Sequence, residues 1–258
     1  MTMLKDDPLV SVVTVTYNSS EFIESCINSV NSQTYSNVEH VFVDGCSTDS
    51  TVEIIKGISK RSCLVVSEPD EGIYDAMNKS FRLCNGSIIC FLNSDDQYSG
   101  EWVLEEVVNT MRRHNAGFAF GEAVYTSLQG KVVRQTNSSY IPRFRSPVSQ
   151  IAHPCLFVAK DLIHKYSIFY PTQYFISADL YFQLLLFRNR VPFVYIPKIL
   201  VKIRLGGIST SSLSSYFSGW KQALAIYLRV FRVRGLSFFV GKLFFKLLPP
   251  KFLSNFLW

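Results

Sequence analysis

The sequence lacks the long apolar segments of a membrane-spanning protein and the paired cysteines of a zinc protein. No apolar run reaches the roughly 18 to 20 residues needed to cross a bilayer. Residues 1–8 are charged and contain no apolar core of a signal peptide, so we expect a cytoplasmic protein. Because no C-x-x-C pair occurs, we expect the cysteines to be reduced core residues rather than zinc ligands. The six cysteines are Cys26, Cys46, Cys63, Cys84, Cys90 and Cys155.

Acidic residues are absent from the chain after Asp179. Residues 1–179 carry 20 acidic and 14 basic side chains, a net charge of −6. Residues 180–258 carry 12 basic side chains and no acidic one, so the overall charge of +6 conceals a strongly basic C-terminal part. This asymmetry predicts that the C-terminal part contacts an anionic surface, either nucleic acid or a membrane.

The spacing of apolar residues in this basic part favours the membrane. From Tyr216 onward, large apolar side chains recur at helical spacing with lysine and arginine on the other faces, and a second such pattern follows Arg234-Gly235. Helices of this kind lie in membrane interfaces, so we expect a peripheral extension on the anionic inner face of the cell membrane. The alternative is a helix that covers the core with its lysines in solvent. Single-stranded nucleic acid is disfavoured, because the apolar content is too high.

Glycine is missing from the loop after the first predicted strand. Residues 9–16 are mostly β-branched and are followed by Tyr17-Asn18-Ser19-Ser20, so neither the G-x-G-x-x-G nor the G-x-x-x-x-G-K-[ST] phosphate loop is present. Strand and helix patterns then alternate four times up to about residue 125, which predicts an α/β fold with a mostly parallel sheet. Ser20 is the expected N-cap of the first helix, and Ser50 with Glu53 fits a capping box for the second.

The predicted strand ends are acidic and aromatic instead. Tyr17 follows the first strand, Asp44 ends the second, and Asp95-Asp96 follow the fourth. Ligands bind open α/β sheets at these ends, and two adjacent carboxylates repel each other, so a cation is indicated. This edge suits a nucleotide whose phosphates are neutralised by a metal ion. A solvated turn in which Asp95 and Asp96 cap the next helix is the alternative.

Four motifs stand in order over about residues 9–97. They are VSVVTVTYN at residues 10–18, DGCSTD at 44–49, GIYDAMNK at 72–79 and NSDD at 93–96. In this order and spacing they resemble the family 2 glycosyltransferases, which are inverting enzymes of the GT-A fold. Two later segments, ISAD at residues 176–179 and GGIS at 206–209, are similar to landmarks of the bacterial polysaccharide members. The resemblance covers most of the chain up to about residue 210.

The resemblance implies a role for each matching position. Tyr17 and Asp44 would contact the base of a nucleotide-sugar, typically uracil, and Asp95 would lie near the ribose. Asp96 would hold Mg²⁺ or Mn²⁺ on the diphosphate, and Asp179 would be the general base that takes the proton of the acceptor hydroxyl. The remaining matching positions line the donor side or form a loop that closes near the diphosphate. They are Asp70, Lys79, Gly207 and Ser209.

The sequence departs from the family pattern at three places. Asn93 stands where many members have an aspartate, which leaves Asp95-Asp96 to carry the metal motif. His153-Pro154 stands where similar sequences often read His-Gln, and His153 would either touch the acceptor or diphosphate or serve as a structural histidine. Ala178-Asp179 replaces a Glu-Asp pair and leaves the base in place.

The implied activity is the transfer of one hexose, such as glucose or galactose, from a UDP-sugar to a polyprenyl-diphosphate-linked glycan. The linkage would be β, and the pathway would be bacterial O-antigen or capsule assembly at the cytoplasmic membrane face. One alternative is a membrane-bound inactive scaffold of the same fold. A nucleotidyltransferase would need a basic glycine-rich N-terminal loop that the sequence lacks. The predicted organisation is a GT-A domain over residues 1–210 and a basic amphipathic helical extension over residues 211–258.

Overall fold

The structure is a computed structural model that describes residue 4 and residues 6–136, 138, 151–205 and 213–247, with the side chains of 213–216 and 244–247 left aside. The strands are β1 (Val10–Thr16), β2 (Val38–Asp44), β3 (Ser62–Ser67), β4 (Ile88–Phe91), β5 (Gln97–Tyr98), β6 (Phe118–Thr126), β7 (Val132–Gln135), β8 (Leu156–Ala159) and β9 (Phe193–Arg204). The helices are α1 (Ile23–Asn31), α2 (Thr51–Ile58), α3 (Ile73–Leu83), α4 (Val103–Arg113), α5 (Lys160–Lys165), α6 (Ala178–Arg188), α7 (Leu213–Phe231) and α8 (Arg234–Leu247). The predicted alternation of strand and helix is confirmed.

The described strands form one mixed sheet in the order β3-β2-β1-β4-β8-β6-β9-β5, with β7 paired to β6. β3, β2, β1 and β4 are parallel, whereas β8 is antiparallel to both of its neighbours, β4 and β6. Because β9 is parallel to β6, both strands point in the same direction as β1 to β4. The carboxyl ends of β1, β2, β4 and β9 therefore lie along one edge of a mostly parallel sheet.

β1 is buried along its whole length, since both faces of the sheet are covered. Val13 faces one core cluster, with Phe81 of α3 and Phe182 of α6. Val12 faces the opposite cluster, with Met111 of α4. Alternate residues of a strand point to opposite faces, so the β-branched run in β1 serves both clusters. This burial fixes the register of β1 and thereby the position of the loop that follows it.

Neither predicted helix cap forms. α1 begins at Ile23, three residues after Ser20, and no side chain caps it. Ser50 occupies the N-cap position of α2 without a side-chain hydrogen bond. The carboxylate of Asp49 accepts hydrogen bonds from the backbone N–H of Thr51 at 3.0 Å and of Ser20 at 3.1 Å instead. One aspartate thus joins the loops after β1 and β2 and takes over the capping role that the sequence assigns to serines.

The C-terminal helices pack onto α6 and the core. Ile226 and Tyr227 of α7 lie in the same core cluster as Phe182 of α6. Gln222 Oε1 accepts a hydrogen bond from the backbone N–H of Ile176 at 3.1 Å, just before α6. The inward face of α7 therefore covers the core, as the alternative interpretation of this segment predicts. No helix in the described part of the chain is long and apolar enough to span a membrane.

Other apolar side chains of the helix pair face outward. The exposed ones are Phe217, Leu228, Val233, Leu236 and Val240. Arg232, between the two helices, and Arg234, the first residue of α8, are exposed as well. The outward surface of α7 and α8 thus combines apolar and basic groups.

All six cysteines are free. The prediction that they are core residues is confirmed for Cys26, Cys84, Cys90 and Cys155, and it is wrong for Cys46 and Cys63, which are exposed. Cys46 lies in the loop after β2, and Cys63 lies on the outermost strand β3, so neither has a layer of side chains above it. Burial raises the pKa of the Cys26 thiol to about 12, which keeps it protonated near neutral pH.

Candidate active site

The carboxyl end of β4 turns into a tight loop that buries Asp96. The side chain of Asp96 has no exposed surface. Its Oδ2 accepts a hydrogen bond from Nδ2 of Asn93 at 2.7 Å, and its Oδ1 accepts one from the backbone N–H of Arg204 at 3.2 Å. The Oγ1 of Thr14, on β1, donates to the carbonyl of Leu92 at 2.8 Å. The loop is therefore fixed from β1 on one side and from the end of β9 on the other.

Asp95 and Asp96 do not cap the following helix. α4 begins only at Val103, and β5 (Gln97–Tyr98) lies between. Burial raises the pKa of Asp95, which the nearby charge of Arg204 lowers. Burial, and then the charge of Asp95, raises the pKa of Asp96 well above its usual range. Burial thus disfavours the ionised form of both carboxylates.

This pair of carboxylates fits a hard divalent cation. Within the described ranges, no group of three or more His, Cys, Asp and Glu side chains converges as a complete protein metal site. Magnesium-type ions instead take one or two carboxylates together with phosphate oxygens and water. Asp95 and Asp96 supply that number of protein ligands. A cation bound there would also stabilise the ionised forms of two carboxylates that burial disfavours.

Tyr17, Gly45 and Asp70 meet at the carboxyl ends of β1, β2 and β3. A Cβ atom on Gly45 would lie 2.6 Å from Oδ2 of Asp70 and 3.5 Å from Cδ2 of Tyr17. A Cβ atom at residue 45 would therefore force the Asp70 carboxylate to move, whereas its distance to Tyr17 is an ordinary contact. The Tyr17 side chain is 62% exposed, and Asp70 is partly exposed, so both can contact a ligand from solution.

Asp44 is buried beneath this rim. Its Oδ2 accepts hydrogen bonds from the backbone N–H of Ser47 at 2.9 Å and from Oγ of Ser67 at 2.7 Å. Oγ of Ser47 donates to Oδ1, and the side chain has no exposed surface. Asp44 therefore shapes the loop after β2, on which Gly45 lies. Its direct contact with a nucleotide base stays a prediction.

Lys79 is engaged with its own neighbours. Its Nζ lies 3.3 Å from Oε1 of Glu68 and 3.2 Å from Oδ2 of Asp75, and it donates to the carbonyl of Pro69 at 2.7 Å. The lysine thus ties α3 to the loop after β3, and its charge is compensated there. A role on the donor side stays a prediction.

Asp179 lies half-buried in the first turn of α6, where its Oδ1 accepts a hydrogen bond from the N–H of Leu180 at 2.8 Å. Burial raises the pKa of the Tyr74 and Tyr170 hydroxyls, and the charge of Asp179 raises both further. Burial lowers the pKa of His153, whereas the charge of Asp179 raises it. The predicted base thus lies close to two tyrosines and the predicted acceptor-side histidine.

His153 connects this group to the end of β4. Its ring stacks on Phe91 with centroids 5.3 Å apart and meets the ring of Tyr170 at 5.6 Å. Both ring nitrogens of His153 and the hydroxyl of Tyr170 are buried without a hydrogen-bond partner in the described part of the protein. A buried polar atom left unpaired costs about 1–3 kcal/mol. Such atoms beside a carboxylate indicate a site that a polar ligand completes.

Sequence reasoning did not single out Tyr74, Tyr170 or Arg204. Tyr74 lies inside the third motif and Arg204 lies two residues before the GGIS segment, so their place next to a motif is the available signal. No comparable signal marks Tyr170, which reaches the site because residues after α5 cross the sheet face toward α6. Gly207 and Ser209 lie outside the described residues.

Comparison with known proteins identifies the family of the chain. Residues 11–170, more than half of the chain, match Glycosyl transferase family 2. The UDP-Glc:alpha-D-GlcNAc-diphosphoundecaprenol beta-1,3-glucosyltransferase WfgD of Escherichia coli is 32% identical over 139 residues, which are 52% of this chain and 54% of that protein. Matches to curated relatives span 40–54% of the relatives' own length.

Two solved structures share the fold at low sequence identity. TarS 1–349 of S. aureus, solved in complex with UDP-GlcNAc, has a TM-score of 0.72 and 19% identity over 91% of this chain and 71% of that one. The mannosyltransferase PcManGT of Pyrobaculum calidifontis, solved with GDP-Man and Mn²⁺, has a TM-score of 0.66 and 16% identity over 87% and 64% of the two chains. The fold is of the GT-A type, and the chain belongs to glycosyl transferase family 2.

Proposed function

We propose that this glycosyltransferase is an inverting, metal-dependent hexosyltransferase that moves one sugar from a UDP-sugar to a polyprenyl-diphosphate-linked glycan. The observation that carries the proposal is the presence of two separate carboxylate sites, one at a strand end of the sheet and one in the first turn of a helix. Asp95-Asp96 follow β4, and Asp179 opens α6, with the stacked rings of Phe91 and His153 leading from one to the other. Inversion needs a site for the leaving group and a base on the opposite face of the sugar; Asp95-Asp96 would serve as the first and Asp179 as the second.

The donor would lie along the ends of β1, β2 and β4. Tyr17 and Asp70 are exposed enough to contact the uracil, with Asp44 behind them, and Asp95 would lie at the ribose. Lys79 would act on the donor side through the loop that it ties to α3. Gly207 and Ser209 would belong to the segment that closes near the diphosphate.

Asp96, with Asp95 beside it, would hold Mg²⁺ or Mn²⁺. A divalent ion there supplies Lewis-acid stabilisation of the charge that develops on the departing diphosphate. Asp96 is buried, Asp95 is half-buried, and Asn93 and the backbone of Arg204 hold Asp96 in place. Carboxylates held in one orientation need no rearrangement when the ligand arrives.

Asp179 would take the proton from the acceptor hydroxyl as that oxygen attacks the anomeric carbon. The buried rings of Tyr74 and Tyr170 would exclude water from the carboxylate. The unpaired nitrogens of His153 would bind an acceptor hydroxyl or phosphate oxygen. An attack opposite to an α-linked leaving group gives the β-linkage.

Support for the acceptor comes from the named activity of the E. coli relative, which acts on a diphosphoundecaprenol-linked sugar. Glucose or galactose from a UDP donor is the proposed hexose, and assembly of a bacterial surface polysaccharide such as O-antigen or capsule is the proposed setting. The enzyme would then work at the cytoplasmic face of the inner membrane, where such acceptors are built.

The direct test is to incubate the purified protein with a panel of nucleotide-sugars, Mg²⁺ or Mn²⁺, and a synthetic polyprenyl-diphosphate acceptor, followed by product analysis. We expect one sugar to be added in a β-linkage from a UDP donor. A membrane-bound scaffold that kept the fold and lost activity is the alternative. It would bind acceptor or membrane without releasing UDP from any donor in the panel.

Gly45→Ala is expected to weaken UDP binding about five- to thirtyfold, because the new Cβ displaces Asp70 and costs a polar contact of about 1–2 kcal/mol. The Cβ atom of the alanine would lie 2.6 Å from Oδ2 of Asp70. Titration calorimetry with UDP measures the change. Gly57→Ala is the matched control, since a Cβ there meets nothing within 4 Å. Unchanged UDP affinity in Gly45→Ala would remove Asp70 from the donor site.

Association with the membrane is supported by the outward surface of α7 and α8. Leu236 and Val240 are exposed one helical turn apart, and Arg232 and Arg234 are exposed beside them. Apolar side chains that enter the acyl boundary strengthen membrane binding, and basic side chains that meet anionic head groups strengthen it further. The proposed partner of this surface is therefore an anionic bilayer.

Replacing both Leu236 and Val240 with serine is expected to lower affinity for anionic vesicles about tenfold, because two aliphatic side chains no longer leave water. Sedimentation with phosphatidylglycerol–phosphatidylcholine vesicles measures this, with pure phosphatidylcholine as the uncharged comparison. Leu128→Ser, at an exposed leucine distant in sequence, is the control. A wild-type protein that stays in the supernatant with anionic vesicles would contradict the proposal.

A further inference from the structure

We propose that Arg204 is a further binding residue for the diphosphate of the nucleotide donor, held ready beside Asp95 and Asp96 by the ring of Phe22. The inference rests on the proposed function, because it concerns the same donor site. It adds a protein cation to a site for which the motifs supply carboxylates and one lysine.

The direction of β9 places Arg204 at the site. β9 runs parallel to β6 and in the same direction as β4, so its last residue reaches the edge where β4 ends. The backbone N–H of Arg204 donates to Oδ1 of Asp96 at 3.2 Å. The residue is therefore anchored to the predicted metal ligand by its main chain, which leaves its side chain available.

The guanidinium group lies over an aromatic ring. Its central carbon is 4.6 Å from the centroid of Phe22, which comes just before α1 in the loop that also carries Tyr17. A ring face attracts a guanidinium group without using its five N–H donors. Among the described residues, no carboxylate lies within ion-pair distance of Arg204. The cation is thus oriented, and its donors remain available for a ligand.

Electrostatics require a cation at this position. A diphosphate that enters next to Asp95 and Asp96 meets two carboxylates, and one divalent ion does not balance all of these charges. Lys79 is in contact with Glu68 and Asp75 and is less able to serve. Arginine also suits phosphate, since its planar fork forms two parallel hydrogen bonds.

The test uses titration calorimetry to compare the binding of nucleoside diphosphates and monophosphates. The bases compared are uracil, guanine and adenine. For Arg204→Gln we expect affinity for UDP to fall about ten- to a hundredfold, the effect of losing a charged hydrogen-bonded contact. Affinity for UMP should change less than about twofold, because UMP lacks the β-phosphate; unchanged UMP binding also shows that the variant is folded. Arg204→Lys keeps the charge but cannot form two parallel hydrogen bonds. Its affinity for UDP should therefore fall less than that of Arg204→Gln.

The matched control is Lys198→Gln. Lys198 lies on the same strand, over the ring of Trp102 at 5.2 Å, and pairs with Glu106 at 3.1 Å. Lys198→Gln should change neither the affinity for UDP nor the affinity for UMP. Equal losses for UDP and UMP in the Arg204 variants, or no loss at all, would overturn the assignment. If the wild type prefers another base, the proposed UDP donor is wrong, and the same diphosphate-to-monophosphate ratio with that base still decides the role of Arg204.

Discussion

Asp179→Asn is expected to lower kcat by about 10²–10⁴-fold, the usual contribution of a positioned general base. The amide has nearly the shape of the carboxylate, and its oxygen can still accept the hydrogen bond from the N–H of Leu180. It cannot accept a proton from the acceptor hydroxyl. Single-turnover measurements with saturating donor and acceptor give the rate of the chemical step.

Binding should be preserved in this variant, since Asp179 lies apart from the predicted metal and donor residues. Asp161→Asn is the matched control, because Asp161 is an exposed carboxylate in the first turn of α5. It tests whether a first-turn charge alone affects the rate. An Asp179→Asn enzyme with near wild-type kcat would exclude Asp179 as the base.

Asp96→Asn is expected to lower turnover about 10²–10³-fold, the range for loss of one electrostatic stabiliser at a developing charge. The neutral amide can still accept from the backbone of Arg204, and the amide of Asn93 can turn to pair with it. The fold should therefore persist while the metal affinity falls. Activity should also disappear from the wild type when the metal is chelated.

Thermal unfolding gives a readout of the metal that does not depend on activity. A ligand present at about 100 times its Kd stabilises the folded state by about 2.7 kcal/mol. Addition of Mn²⁺ to the UDP-bound wild type should therefore raise the Tm, and addition to UDP-bound Asp96→Asn should not. An equal rise in both proteins would place the metal elsewhere. Asp161→Asn should behave as the wild type does.

The parts of the fold that follow from local pattern are predictable. The continuous β-branched run of β1 and the apolar run of β4 predict buried parallel strands, and both are buried throughout. Once the direction of those strands is known, the rule that ligands lie at their carboxyl ends brings Tyr17, Asp44 and Asp95 to one edge. Burial on two faces leaves such strands little freedom of register, which is why this inference succeeds.

The parts that depend on distant segments are not predictable in this way. The antiparallel β8 lies between β4 and β6, and its four residues carry no pattern that fixes this place. Arg204 reaches Asp96 across 108 positions of sequence. The helix caps fail for a different reason, because Asp49 accepts from the backbone N–H of Thr51 two residues on, and α1 begins only at Ile23. Long-range contacts of single side chains leave no periodic trace in a sequence.

α6 and α7 share one core cluster, so residues on both sides of the predicted boundary near residue 210 pack together. Ile226 and Tyr227 of α7 pack into the same cluster as Phe182 of α6 and as Val13, which lies near the beginning of the chain. The segment with the basic surface and the strand that precedes Tyr17 therefore share one hydrophobic core. Loss of α7 would expose core side chains of α6 and loosen the helix that carries Asp179.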